Sequence, residues 1–136
     1  MNYPDADTLA PPNDVIAQLA ARALADLPEP WRAEAVKIAI RTEDFASDEV
    51  LDALGCEDPF ELTGLYEGTP MTEKSAMDQP LAPDVIWLYR RPILEEWIDR
   101  GNVTLGELVT HVLVHEIAHH FGWSDDDIAR VDPWWD

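Results

Sequence analysis

Thr104-Leu105-Gly106-Glu107-Leu108-Val109-Thr110-His111-Val112-Leu113-Val114-His115-Glu116-Ile117-Ala118-His119-His120-Phe121-Gly122 carries one uninterrupted helical reading. Thr104 can accept from the backbone N–H of Glu107 while the Glu107 carboxylate reaches back to Thr104, a reciprocal capping box. Gly122 ends the helix. In its second half Val109, Val112, Leu113, Val114, Ile117, Ala118 and Phe121 leave almost no polar side, so the helix is expected to be central and buried.

The segments before it alternate between helix and strand. Asn13 is expected to cap a helix whose apolar positions Val15, Ile16, Leu19, Ala20, Ala23, Leu24 and Leu27 recur at helical spacing. Pro28 and Pro30 stop it. Val36–Arg41 alternates and reads as a strand. Ser47–Leu54 reads as a short helix, with Ser47 as cap and Gly55 just past its end. Pro59–Leu62 suggests one helical turn, and Gly64–Pro70 a short strand bracketed by glycines. Residues 71–83 read as a loop. Val85-Ile86-Trp87-Leu88-Tyr89 is a continuous apolar run suited to a sheet interior. Pro92 is expected to open a helix that ends before Gly101. Residues 1–12 form a loose arm, which leaves 13–136 as one domain.

The central helix also carries His115-Glu116-Ile117-Ala118-His119, an H-E-x-x-H pattern. Four residues advance a helix by slightly more than one turn, so His115 and His119 project from one face. Two imidazoles so placed can each reach one metal ion at about 2.0–2.1 Å. Glu116 is swung around the helix from them, where it can take a proton from a metal-activated water without being a ligand. An apolar buried helix pays heavily for two histidines and a glutamate unless they are paired or coordinated, so metal ligation is weighed against hydrogen-bonded core histidines.

A third protein ligand is needed. No glutamate follows Glu116. His120 points about 100° away from His119, and His111 lies roughly 12 Å along the axis from it. The acidic turn Gly122-Trp123-Ser124-Asp125-Asp126-Asp127 remains, because Gly122 can fold the chain back toward the histidines. Asp125 is the best placed, with Asp126 the alternative. The same acidic run also suits a capped turn, with Ser124 as N-cap.

The stretch His115 to Asp125 resembles the bacterial zincin-like zinc metallopeptidases, small single-domain proteins with a matrix-metalloprotease-like core. Leu62-Thr63-Gly64-Leu65-Tyr66-Glu67-Gly68 resembles that family's glycine-bracketed strand, and Ile86-Trp87-Leu88-Tyr89-Arg90-Arg91-Pro92 its strand-to-helix junction. The resemblance implies an α+β class: a minimal zincin-like fold with a small mixed sheet packed on the active-site helix and additional helices. It implies Zn2+ as cofactor, His115, His119 and Asp125 as ligands, and Glu116 as general base. No methionine follows Met77, so the methionine turn of larger metzincins is absent. Cys56 stands in no cysteine-switch motif. In zincins a substrate strand adds to a sheet edge beside the metal; Tyr66, Glu67 and Gly68 are the expected edge, since flanking glycines admit another backbone. Tyr66 or Tyr89 can serve an oxyanion or simply pack in the sheet. Arg90 and Arg91 can pair with the acidic turn, and Trp123, Trp134 and Trp135 can line a pocket or close the core.

Composition restricts the partners. The 136 residues hold 9 Lys+Arg against 28 Asp+Glu, a formal charge of −19, which argues against nucleic-acid or anionic-membrane binding. The 46% hydrophobic content and six tryptophans exclude a disordered acidic tail. Cys56 is the single cysteine, so no internal disulfide forms. No secretory leader or membrane span is evident in the sequence, and a cytoplasmic monomer is expected. Two readings result: a zinc-dependent metallopeptidase acting on a peptide or protein substrate, with basic ones favoured, or a metal-binding acidic module with little proteolysis that recruits a basic partner.

Overall fold

The structure is a computed structural model that describes residues 11–68 and 84–124. Its elements in chain order are α1 (Asn13–Ala25), α2 (Trp31–Ala35), β1 (Ala39–Glu43), α3 (Asp48–Leu54), a 3-10 turn (Pro59–Glu61), β2 (Gly64–Glu67), β3 (Val85–Tyr89), α4 (Arg90–Arg100) and α5 (Leu105–His120). The strands form a mixed sheet in the order β1-β3-β2, with β1 parallel and β2 antiparallel to β3. The class is therefore the expected α+β.

β3 is central because it can be covered on both faces. Ile86 and Leu88 point into the main core with Ile16 and Ala20 of α1 and Leu108, Val109, Val112, Leu113 and Ile117 of α5. Tyr89, on the opposite face, joins Ala46 and Leu51 in a smaller cluster with Trp87, Leu65 and Cys56 packed against it. The period-2 alternation of a strand thus builds two cores from one apolar run. Removing a side chain such as the fully buried Leu113 would cost about 2–5 kcal/mol by the usual cavity penalty.

α5 forms as its caps require. Glu107 N donates to Thr104 Oγ1 at 3.0 Å and Thr104 N to Glu107 Oε1 at 2.8 Å. Ser47 likewise caps α3, and Gly55 closes it at φ 67°. Several expectations need correction. Asn13 does not cap α1; Pro12 holds that position and Asn13 Nδ2 donates to Asp44 at 3.3 Å. The strand expected at Val36–Arg41 runs over Ala39–Glu43, because Trp31–Ala35 closes a short helix whose hydrogen bonds continue through Ile38. α4 begins at Arg90 rather than Pro92. Arg90 donates to the Pro11 carbonyl at 2.6 Å and pairs with Asp44 at 3.2 Å, while Arg91 lies over the Phe45 ring; the pairing expected with Asp125–Asp127 of the acidic turn falls outside the described residues. Residues 1–10 and 71–83 lie outside the described residues, as do Trp134 and Trp135. Among the described residues no helix is long and apolar enough to cross a membrane.

The edge strand β2 lies against α5 more closely than an alanine would allow. A Cβ on Gly64 would sit 2.8 Å from Val112 Cγ1, 3.3 Å from the Trp87 carbonyl oxygen and 3.4 Å from Glu116 Cγ. Val112 is β-branched and buried in a helix, where one χ1 rotamer is strongly preferred, so turning aside is costly. Gly64→Ala is expected to destabilise the protein by about 1–3 kcal/mol through overpacking. A urea midpoint identical to wild type would show that β2 can lift off the helix without cost. The glycine at 64 thus admits α5, a different use from the incoming backbone anticipated for it. The second bracketing glycine, Gly68, lies beside the Asp84 carboxylate.

Candidate metal centre

The last turn of α5 is closed by a Schellman arrangement. Gly122 takes φ 90°, Trp123 N donates to the Ala118 carbonyl at 3.0 Å and Gly122 N to the His119 carbonyl at 2.9 Å. This turn folds the chain back onto the helix, and the Trp123 carbonyl oxygen comes to 2.9 Å from His119 Nδ1. A carbonyl only accepts, so Nδ1 carries the proton and Nε2 is left with its lone pair. That is the tautomer a metal ligand needs, held by the kind of backbone contact that orients ligating histidines. The chemistry of His119 therefore fits a zinc ligand.

His115 and His119 stand together, their ring centroids 5.0 Å apart. Both open on a cleft of about 580 Å³ with Glu116, Gly64, Leu65 and Tyr66. Glu116 is 9% exposed, with its Cγ turned toward Gly64. Leu54 and Trp123 line the same cleft at 52% and 39% exposure. Among the described residues no group of three or more potential ligands gathers. Asp125 and Asp126 lie outside the described residues.

Of the expected substrate edge, Tyr66 and Glu67 belong to β2, which is an edge of the three-stranded sheet, and Gly68 follows it. Tyr66 lines the cleft, whereas Glu67 Oε1 accepts from Trp87 Nε1 at 2.7 Å. Tyr89 is buried behind the sheet; burial, with added negative potential from Glu67, Glu116 and Glu43, pushes its hydroxyl up to about 12. It remains protonated at any working pH. Cys56 is half-buried, its Sγ donating to the Asp58 carbonyl at 3.2 Å, in keeping with a structural thiol.

A family model for zincin-like metallopeptidases matches residues 35–135, well over half of the chain. The chain belongs to the zincin-like metallopeptidase family. That membership carries zinc binding and peptide hydrolysis as the family's general chemistry. No curated protein matches the sequence.

Sequence reasoning missed two features of this zincin-like site. One is the Trp123 carbonyl, for which the Gly122 signal gave the turn but not the acceptor. The other is His120, which is 1% exposed and held between carboxylates: Nε2 lies 2.9 Å from Glu34 Oε2 and Nδ1 3.0 Å from Asp84 Oδ2. The available signal was a histidine on a buried helix, which must find polar partners. Although burial raises the Glu34 carboxyl, hydrogen bonds from His120 and Lys37 outweigh it and hold the group below its usual 4.5. A depressed carboxyl contributes stability above its unfolded pKa and loses it as pH falls through the folded value. The stability gap between wild type and Glu34→Ala is therefore expected to be full above pH 4.5 and to close below it. A gap that stays constant down to pH 3 in acid unfolding scans would contradict this.

Proposed function

We propose that this chain is a zinc-dependent peptidase in which His115, His119 and Asp125 hold the metal and Glu116 is the general base. The observation that carries the reading is the Trp123 carbonyl on His119 Nδ1, which leaves Nε2 with its lone pair. His115 and His119 would hold zinc there, which would supply a Lewis acid to acidify water and polarise a carbonyl oxygen. Glu116 then accepts the proton of the attacking water and returns it to the leaving amine. In sequence Asp125 is three residues after Gly122, whose positive φ turns the chain back on the helix.

The side of β2 away from β3, which pairs with no strand among the described residues, takes the substrate main chain, Tyr66, Glu67 and Gly68 forming that rail. Leu54, Leu62, Leu65 and Trp123 give the cleft apolar walls for a substrate side chain. The charge of −19 favours basic peptides over acidic ones at long range.

The test is metal content and hydrolysis after mild purification. About one equivalent of zinc is expected, with peptide hydrolysis lost on chelation and restored by zinc; less than about a tenth of an equivalent overturns the metal reading. Retained zinc with hydrolysis indifferent to chelation would favour the acidic binding module instead. Asp125→Ala is expected to weaken zinc retention about 10- to 100-fold more than Asp127→Ala. Equal retention removes Asp125 from the ligand set and turns attention to Asp126.

A further inference from the structure

We propose that His120 is a positioning residue for the metal centre, tying the last turn of α5 to α2 and to the start of β3 and so fixing the rotation of His119 in the cleft. The inference rests on the zinc reading of His115 and His119.

His120 is buried but does not line the cleft. Its partners come from three separate parts of the chain. Glu34 lies on α2, Asp84 immediately before β3, and Tyr66 on β2, with the Tyr66 hydroxyl 3.1 Å from Nδ1. The Tyr66 ring also packs edge-on against the imidazole, its centroid 5.5 Å away. Each ring nitrogen faces a carboxylate, so whichever one carries the proton has an acceptor, and the ring is held from two sides. Hydrogen bonds to charged groups are short and directional, unlike apolar contacts, which tolerate a helix turning about its axis.

That direction is transmitted to the neighbouring residue. His119 and His120 are consecutive in one rigid helix, about 100° apart around it. Any rotation or slide of the last turn that moves one moves the other. Filling this buried position with an apolar side chain would satisfy the core, as Ile117 does one turn earlier. A histidine here requires a polar partner for each of its two ring nitrogens, and leaving such a group without them costs about 1–3 kcal/mol. The arrangement makes sense when the angular setting of the turn matters. Tyr66 extends the same grip to the cleft wall, since it both contacts His120 and lines the cleft.

The experiment measures zinc affinity by chelator competition and the visible absorption of the cobalt-loaded full chain. It compares wild type, His120→Ala, Glu34→Ala and His111→Ala, each corrected for its folded fraction. His111 is the control: it is a buried histidine on the same helix, but it lines a different cavity, near Leu19 and Arg22. Expected is a zinc affinity lowered about 10-fold or more in His120→Ala, a smaller loss in Glu34→Ala, and altered cobalt spectra in both. His111→Ala is expected to lose stability while keeping wild-type affinity and spectrum. Should His120→Ala fail to fold, the half-exposed Glu34→Ala decides. Wild-type affinity and spectrum in the Glu34 and His120 variants overturn the inference, as does an equal loss in His111→Ala. If wild type itself takes up no zinc, the metal reading fails first, and the inference falls with it.

Discussion

Glu116→Gln is expected to reduce peptide hydrolysis by about 10²–10⁴-fold, the usual contribution of a positioned general base, while zinc content stays at the wild-type level. The substitution keeps the size and planarity of the side chain. It therefore preserves the packing of its stem near Gly64 and removes only the capacity to take a proton. The loss should fall on kcat more than on KM, because proton transfer is made in the transition state. The same rate in wild type, Glu116→Gln and chelated protein would identify the hydrolysis as contamination and remove support for the enzyme reading.

His119→Ala is expected to have the largest effect on the metal. Zinc sites bind with about 10–16 kcal/mol shared over their ligands, so one ligand carries roughly 3–4 kcal/mol. At about 1.4 kcal/mol per tenfold, zinc affinity should fall about 10²- to 10³-fold. His115→Ala should behave alike, since the two rings open on one cleft with centroids 5.0 Å apart. Competition with a chelator of known affinity measures both. Zinc bound as tightly by His119→Ala as by wild type would remove His119 from the ligand set, whatever the tautomer its Trp123 contact imposes.

Local regularities made much of this protein legible before its structure. The capping box at Thr104 and Glu107, the Ser47 cap and the Gly122 fold-back all form as written, because each depends on residues within a turn of one another. The central place of Val85–Tyr89 was readable as well, since only a strand covered on both faces tolerates an unbroken apolar run. The misplaced start of β1 shows where such reading stops. Val36–Ile38 alternates like a strand, but the hydrogen bonds that close α2 draw it into the preceding turn. Register begins at Ala39 because Val85 of β3 is its partner, a pairing that lies 46 residues away.

The same division runs through the site. That His115 and His119 share a face follows from the helical repeat alone, and Glu116 is set beside them by the same geometry. Whatever spans long sequence separations was decided only by the tertiary structure: the 54 residues between Tyr66 and His120, and the 86 between Glu34 and His120. Arg90 illustrates it plainly, reaching Asp44 and Pro11, which lie 46 and 79 residues away in sequence. Periodicity and capping are short-range and additive, so a sequence displays them directly. The grip on His120 and the close approach of Gly64 to α5 depend on which surfaces meet when the sheet packs on the helix, and the sequence supplies those surfaces without stating their order.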